Sequence, residues 1–244
     1  MMRTLDCDVL VVGSGIAGLM TALRMSRSHD VILATKRTAD VSSSNWAQGG
    51  ISCVSHPHDS FEAHIDDTLA TGGGLSDEDA VRAIIQGGPD GIAALEEFGV
   101  EFAKRPEYPQ YYDLGREGGH SFRRVLHAGD ITGHEIILKL LQAAHSRSRI
   151  RILEQSHAID LVTTGWLKQE GTNTCLGSYF LDGRTSEVFA VRAKHTVLAT
   201  GGACKVYLYT SNPDVATGDG IAMAWRAGLP VKNMEMVQFH PTCL

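Results

Sequence analysis

The sequence predicts an α/β fold, and three observations carry that prediction. The apolar run Val9-Leu10-Val11-Val12 meets Gly13-Ser14-Gly15-Ile16-Ala17-Gly18, after which Ile16, Leu19, Met20 and Leu23 recur at helical spacing. A second short apolar run, Val31-Ile32-Leu33-Ala34, follows that first strand–helix unit. Far along the chain, His195 to Leu198 reads as a buried strand that ends in Thr200-Gly201-Gly202.

Strand, tight glycine turn and helix form the context in which G-x-G-x-x-G signals a nucleotide site. Gly13 permits the turn, Gly15 lets the backbone approach a pyrophosphate, and Gly18 lets the helix pack closely on the strand. The helix N-terminus offers free N–H groups and a positive dipole end to phosphates. After the second strand an ordinary NAD site would carry an acid for the ribose. Here stand Thr35-Lys36-Arg37, and a lysine cannot accept a ribose hydroxyl proton. Lys36 is either a phosphate contact or a surface lysine.

The remaining elements follow in order. Residues 42–50, SSSNWAQGG, read as a loop rich in backbone and hydroxyl donors. Residues 76–98 read as helical, with Ser76 and Asp79 as a capping box and Gly87-Gly88-Pro89 as an interruption. Residues 100–120 read as loop, and Ile131 to Ala144 as an amphipathic helix. Ile150 to Leu153 and Ala158 to Val162 read as strands. Cys175–Leu181 and Glu187–Val191 flank Asp182-Gly183 as a hairpin, giving a β-ribbon inserted at about 158–195. Thr217-Gly218-Asp219-Gly220 opens a last helix, Ile221 to Ala227, closed by Gly228.

Composition narrows the function classes. A net charge of −6, from 22 basic and 28 acidic residues, argues against nucleic-acid binding. The pair Arg123-Arg124 reads as a solvated face or an anion contact. No apolar run approaches the ~18 residues of a membrane span, and the early first strand leaves no room for a signal peptide. The five cysteines are scattered, which fits reduced thiols in the cytoplasm and neither a disulfide frame nor a metal site. His56-Pro57-His58 lacks the partners of a tetrahedral set and reads as a surface loop, so no metal is expected.

Four blocks stand together: GSGIAG (13–18), SSSNWAQGG (42–50), REGGHSFRRVLHAGDITG (116–133) and TGDGIAMAWRAG (217–228) running into QFHPT (238–242). Jointly they resemble the flavoprotein family of succinate dehydrogenase, fumarate reductase and L-aspartate oxidase. The resemblance implies a Rossmann-like FAD-binding domain over 1–244, with a capping domain beginning at about 238–244. The rest of the domain, its cap and the arginine that exchanges protons would lie outside the chain, so the chain alone would be inactive. It also implies the cofactor contacts: Gly13, Ser14, Gly15, Ile16, Ala17 and Gly18; Lys36; Ser43, Ser44, Asn45, Trp46, Ala47, Gln48, Gly49 and Gly50; Ala158; Thr200 and Gly201; and Asp219. For Asp219 the alternative is a simple N-cap. Where membrane-complex members carry a histidine bonded to the flavin, this chain has Ser43, so FAD would be held non-covalently.

Within the family, Arg116-Glu117-Gly118-Gly119-His120-Ser121 is the form of the aspartate-oxidising branch. Glu117 near the substrate Cα would pair with an α-ammonium that succinate lacks. Alternatively it is a loop glutamate in water. Gln238 and His240, two apart in an extended segment, would reach one substrate carboxylate, with Phe239 turned into packing. Glu117 and His240 are thus the expected catalytic residues. The resemblance implies oxidation of L-aspartate to iminoaspartate, with oxygen or fumarate as acceptor and hand-off to quinolinate synthase in NAD biosynthesis. Two alternatives are a soluble fumarate reductase or succinate dehydrogenase, and a non-catalytic flavin-binding remnant.

Overall fold

The computed structural model describes residues 2–239, so His240 lies outside the described residues. In chain order the elements are β1 (Thr4–Val12), α1 (Ile16–Met25), β2 (Val31–Ala34), β3 (Ile51–Ser52), α2 (Phe61–Thr71), α3 (Glu78–Gln86), α4 (Gly88–Glu97), β4 (Lys104–Arg105), β5 (Tyr108–Tyr112), β6 (Leu114–Gly115), β7 (Val125–Leu126), α5 (Thr132–His145), β8 (Ile150–Leu153), β9 (Ser156–Thr163), β10 (Cys175–Asp182), β11 (Val188–Leu198) and α6 (Asp219–Arg226). They form two compact units, Met1–Trp46 with Leu141–Leu244, and Ala47–Leu140.

The first unit is built on a six-stranded sheet of order β8-β2-β1-β11-β10-β9. β8, β2, β1 and β11 run parallel. The last four residues of β1 and all four of β2 are buried, because a parallel strand covered on both faces needs an unbroken apolar run. β10 and β9 continue the sheet as an antiparallel ribbon. Phe180 and Phe189 anchor it, stacked at 5.4 Å and joined to Leu10 and Ile32 in one core. Burial of each such ring contributes roughly 1.5–3 kcal/mol. Asp182 forms the ribbon's turn, its Oδ1 accepting from the N–H groups of Arg184 (2.9 Å) and Thr185 (3.3 Å).

The expected strands at 187–191 and from 195 onward are one element, β11, pairing with β10 on one edge and β1 on the other. The polar residues between them are a solvated face and not a break. Arg192 pairs with Asp6 and Lys194 with Asp8 on the neighbouring strand, each at 2.7 Å.

The second unit holds α2, α3, α4 and small sheets of order β3-β7-β6 and β4-β5. α2 starts at Ser60, whose hydroxyl accepts from the Ala63 N–H at 3.1 Å. The capping box expected at Ser76 is displaced by one residue: Asp77 caps α3 by accepting from the Ala80 N–H at 3.0 Å. α4 follows as a separate helix with Pro89 in its first turn, where no backbone donor is needed. The segment expected as loop contains the β4–β5 pairing. β5 is almost wholly exposed, so it lacks the apolar alternation by which strands are read.

Candidate functional site

The parallel strands β1, β2 and β11 all end at one edge of the sheet. β1 lies between β2 and β11, so the chain departs to opposite sides there, the kind of place where open α/β sheets bind ligands. A cavity of about 570 Å³ opens at this edge, within the first unit. Its floor is the first glycine turn. Gly13 has φ +109°, and a Cβ there would collide with the Ala199 carbonyl. A Cβ on Gly18 would collide with the Gly13 carbonyl, so Gly18 serves helix–strand packing and does not line the cavity. Ser14 is buried and donates to the Thr35 hydroxyl at 3.1 Å, tying the turn to the end of β2.

Ser43, Ser44, Ala158, Thr200 and Gly201 line the same cavity, together with Gly15, Ile16 and Ala17. Ser44 accepts from the Ile16 N–H at 3.3 Å and so holds the loop over the N-terminus of α1. Ser43 donates to Asn212 at 2.9 Å. Asn45 and Trp46 fall outside the lining, and the Trp46 ring is exposed. Ala47, Gln48, Gly49 and Gly50 belong to the second unit. There a Cβ on Gly50 would collide with the Leu126 carbonyl, so its glycine serves the β3–β7 approach.

Lys36 is no surface lysine. Its Nζ donates to Asp219 Oδ2 at 2.6 Å and to the Thr217 hydroxyl at 2.5 Å. Asp219 is not an N-cap either. Gly218, at φ +77°, occupies that position, and Asp219 is the first residue of α6, where the helix dipole favours a carboxylate. Burial alone would raise the Asp219 pKa, but the Lys36 and Thr217 hydrogen bonds outweigh it and hold the carboxyl below its ordinary value. The pairing of residues 36 and 219, and the part played by Thr217, carried no sequence signal beyond the quoted block.

In the second unit Glu117 is exposed on a turn. The His120 N–H donates to the Glu117 carbonyl at 3.0 Å. Behind the turn, Arg124 is no solvated face; of the two readings of the Arg123-Arg124 pair it is an anion contact, made to carboxylates of its own chain. It is fully buried, with Nε and Nη2 donating to Asp59 at 2.9 Å each and Nη1 to Asp67 at 2.7 Å. Arginine's planar fork suits such a two-carboxylate clamp. Gln238 is exposed, and Phe239 is not packed away: it is 67% exposed and meets the Tyr207 ring edge-on at 5.2 Å. Among the described residues no group of three metal-ligating side chains forms, and no helix is long and apolar enough to cross a membrane.

The residues present fit a flavin dinucleotide. Gly201 and Gly202 line the cavity; Gly201 needs glycine for its φ of +71°, but a Cβ on Gly202 would meet no protein atom within 4 Å, so packing does not require its lack of a side chain. The hydroxyls of Ser42, Ser43 and Ser44, the start of α1 and the Lys36–Asp219 pair supply donors and an acceptor around the same space.

Comparison with known proteins agrees. The chain is 50% identical over 240 residues to L-aspartate oxidase 1 of Ralstonia nicotianae, covering 98% of this chain and 45% of that protein. It is 48% identical over 242 residues to L-aspartate oxidase of Pseudomonas aeruginosa, covering 97% and 45%. The chain thus spans less than half the length of the curated relatives it matches. Among solved structures, the quinol fumarate reductase FrdA of E. coli superposes with a TM-score of 0.85 at 30% identity, over 92% of this chain and 37% of that one. The adenylylsulfate reductase of Archaeoglobus fulgidus, at 21% identity and a TM-score of 0.71, shares the fold. Residues 8–244 match the FAD binding domain family, and the chain is a member of that family with FAD as its cofactor.

Proposed function

We propose that this chain is the N-terminal part of an FAD-dependent enzyme that oxidises L-aspartate to iminoaspartate in the cytoplasm, at the start of NAD biosynthesis. The observation that carries the reading is the glycine-turn cavity at the strand ends, in a chain 44–50% identical to L-aspartate oxidases. The flavin supplies a two-electron acceptor, and oxygen or fumarate reoxidises it. The FAD is held non-covalently, since Ser43 occupies the position of the linking histidine and its hydroxyl is engaged with Asn212.

The chain's own residues bind and orient. The first glycine turn and the start of α1 hold the pyrophosphate. Asp219, ionised beside Lys36, accepts from sugar hydroxyls. Glu117 pairs with the substrate's α-ammonium, while Gln238 and His240 hold a substrate carboxylate. Quinolinate synthase would receive the product.

A fumarate reductase or succinate dehydrogenase is the second reading, supported by the FrdA superposition. The test uses the full-length protein under anaerobic conditions. L-Aspartate should bleach the flavin absorbance and succinate should not. Bleaching by succinate alone would transfer the assignment to the second reading. Glu117→Gln should depress aspartate oxidation far more than fumarate reduction.

A further inference from the structure

We infer that Asp67 is a positioning residue: it anchors the turn that carries Glu117 and thereby sets the preference for an amino-bearing dicarboxylate. The inference rests on the role proposed for Glu117. The turn is closed internally by the His120 N–H to Glu117 carbonyl bond (3.0 Å), the Glu117 N–H to His120 Nδ1 contact (3.4 Å) and the Arg116 Nε to His120 carbonyl bond (2.7 Å). Those bonds shape it without tying it to the fold.

The His120 Nε2–Ser52 hydroxyl contact (3.4 Å) ties it to β3, and the closer set of ties comes from α2. Asp67 Oδ2 accepts from both the Ser121 N–H (2.7 Å) and the Ser121 hydroxyl (2.8 Å), the residue next to the turn. Thr71, one helical turn further, lies under Gly119, where a Cβ would come within 2.7 Å of its hydroxyl. His64 meets His120 edge-on at 5.8 Å. Residues 64, 67 and 71 are spaced three and four apart, so a single face of α2 receives the turn. The anchor is itself rigid. The Asp67 oxygen also takes Arg124 Nη1 at 2.7 Å, and Arg124 is fixed by Asp59, both without solvent exposure. Burial would raise the Asp67 pKa, but the Ser121 and Arg124 hydrogen bonds hold the carboxyl below its ordinary value, so it stays a charged acceptor. Glu117 is exposed, so the turn backbone directs its carboxylate.

The experiment compares Asp67→Asn, Glu117→Gln and the double variant in the full-length enzyme. It reads kcat/KM for L-aspartate oxidation and for fumarate reduction, with flavin content from absorbance. Asp67→Asn should lower the aspartate value about tenfold, the cost of misplacing a charged contact, with fumarate reduction within about threefold and flavin content unchanged. In the Glu117→Gln background it should cost less than about twofold, because the two act through one contact. Equal loss on both reactions, or the full factor in the double variant, would overturn the inference. If Asp67→Asn fails to fold, Ser121→Ala removes one donor and leaves the Arg124 pairs. It should shift the ratio the same way, by about threefold, and an unchanged ratio would refute the inference. If Glu117→Gln leaves the ratio unchanged, the role of Glu117 fails and the inference with it. If only Glu117→Gln shifts the ratio, the inference alone fails.

Discussion

Replacing Arg124 by methionine should be among the most damaging single changes in the second unit. The side chain and its partner Asp59 are both 0% exposed, and three of its hydrogen bonds to carboxylates span 2.7–2.9 Å. Methionine fills much of the volume but leaves the Asp59 carboxylate buried with no cation. Breaking a buried pair in this way costs about 3–5 kcal/mol, against about 5–15 kcal/mol for a whole domain. The melting temperature should fall by roughly 6–20 °C, at ~2–4 °C per kcal/mol for a protein of this size. Circular dichroism during urea and thermal unfolding measures it. Arg124→Lys should fall between, since the charge survives and the two-carboxylate fork does not. Adding Asp59→Asn to Arg124→Met should restore part of the loss, because the orphaned charge is gone. Stability of Arg124→Met within about 1 kcal/mol of the parent, or no recovery in the double variant, would refute the reasoning.

Other outcomes follow from the same geometry. Gly13→Ala forces a Cβ against the Ala199 carbonyl at φ +109°, so FAD affinity should fall at least about tenfold, measured by flavin fluorescence titration. Unchanged affinity would remove Gly13 from the cofactor turn. Burial pushes the thiols of Cys7 and Cys53 up to about 11, so iodoacetamide at mildly alkaline pH should reach both only after unfolding, as peptide mapping would show. Burial, with help from Arg124, holds the His64 ring below its ordinary 6.5. The fold therefore favours the neutral ring: its contribution is complete above about 6.5 and is lost as pH falls toward the lower folded value. Melting curves across that window should flatten in His64→Gln, and an identical pH slope would contradict the assignment.

Local sequence determined much of the first unit. The runs at 9–12, 31–34 and 150–153 all lie in strands, with β1 reaching back to Thr4 beyond its run, because an apolar run between turn residues needs only its neighbours to be read. The first glycine turn was legible for the same reason: strand, turn and helix are contiguous, and Gly13 and Gly18 meet across five residues. The hairpin at Asp182 also announced itself through turn chemistry.

Tertiary contacts decided the rest. β11 looked interrupted because Arg192 and Lys194 are polar. Only β1, almost two hundred residues away in the chain, shows that they are one face of a continuous strand. Nothing local tells a solvated Arg124 from a paired one until folding brings Asp59 and Asp67 to it, and no local pattern says that Arg124 and Asp59 will be buried together with Asp67 half-buried beside them. The meeting of Lys36 with Asp219 likewise depends on two strand ends converging on α6. Periodicity and turn chemistry act over a few residues and are written along the chain. Which charges neutralise one another is set by distance in space, and that appears only when the sheet has brought its ends together.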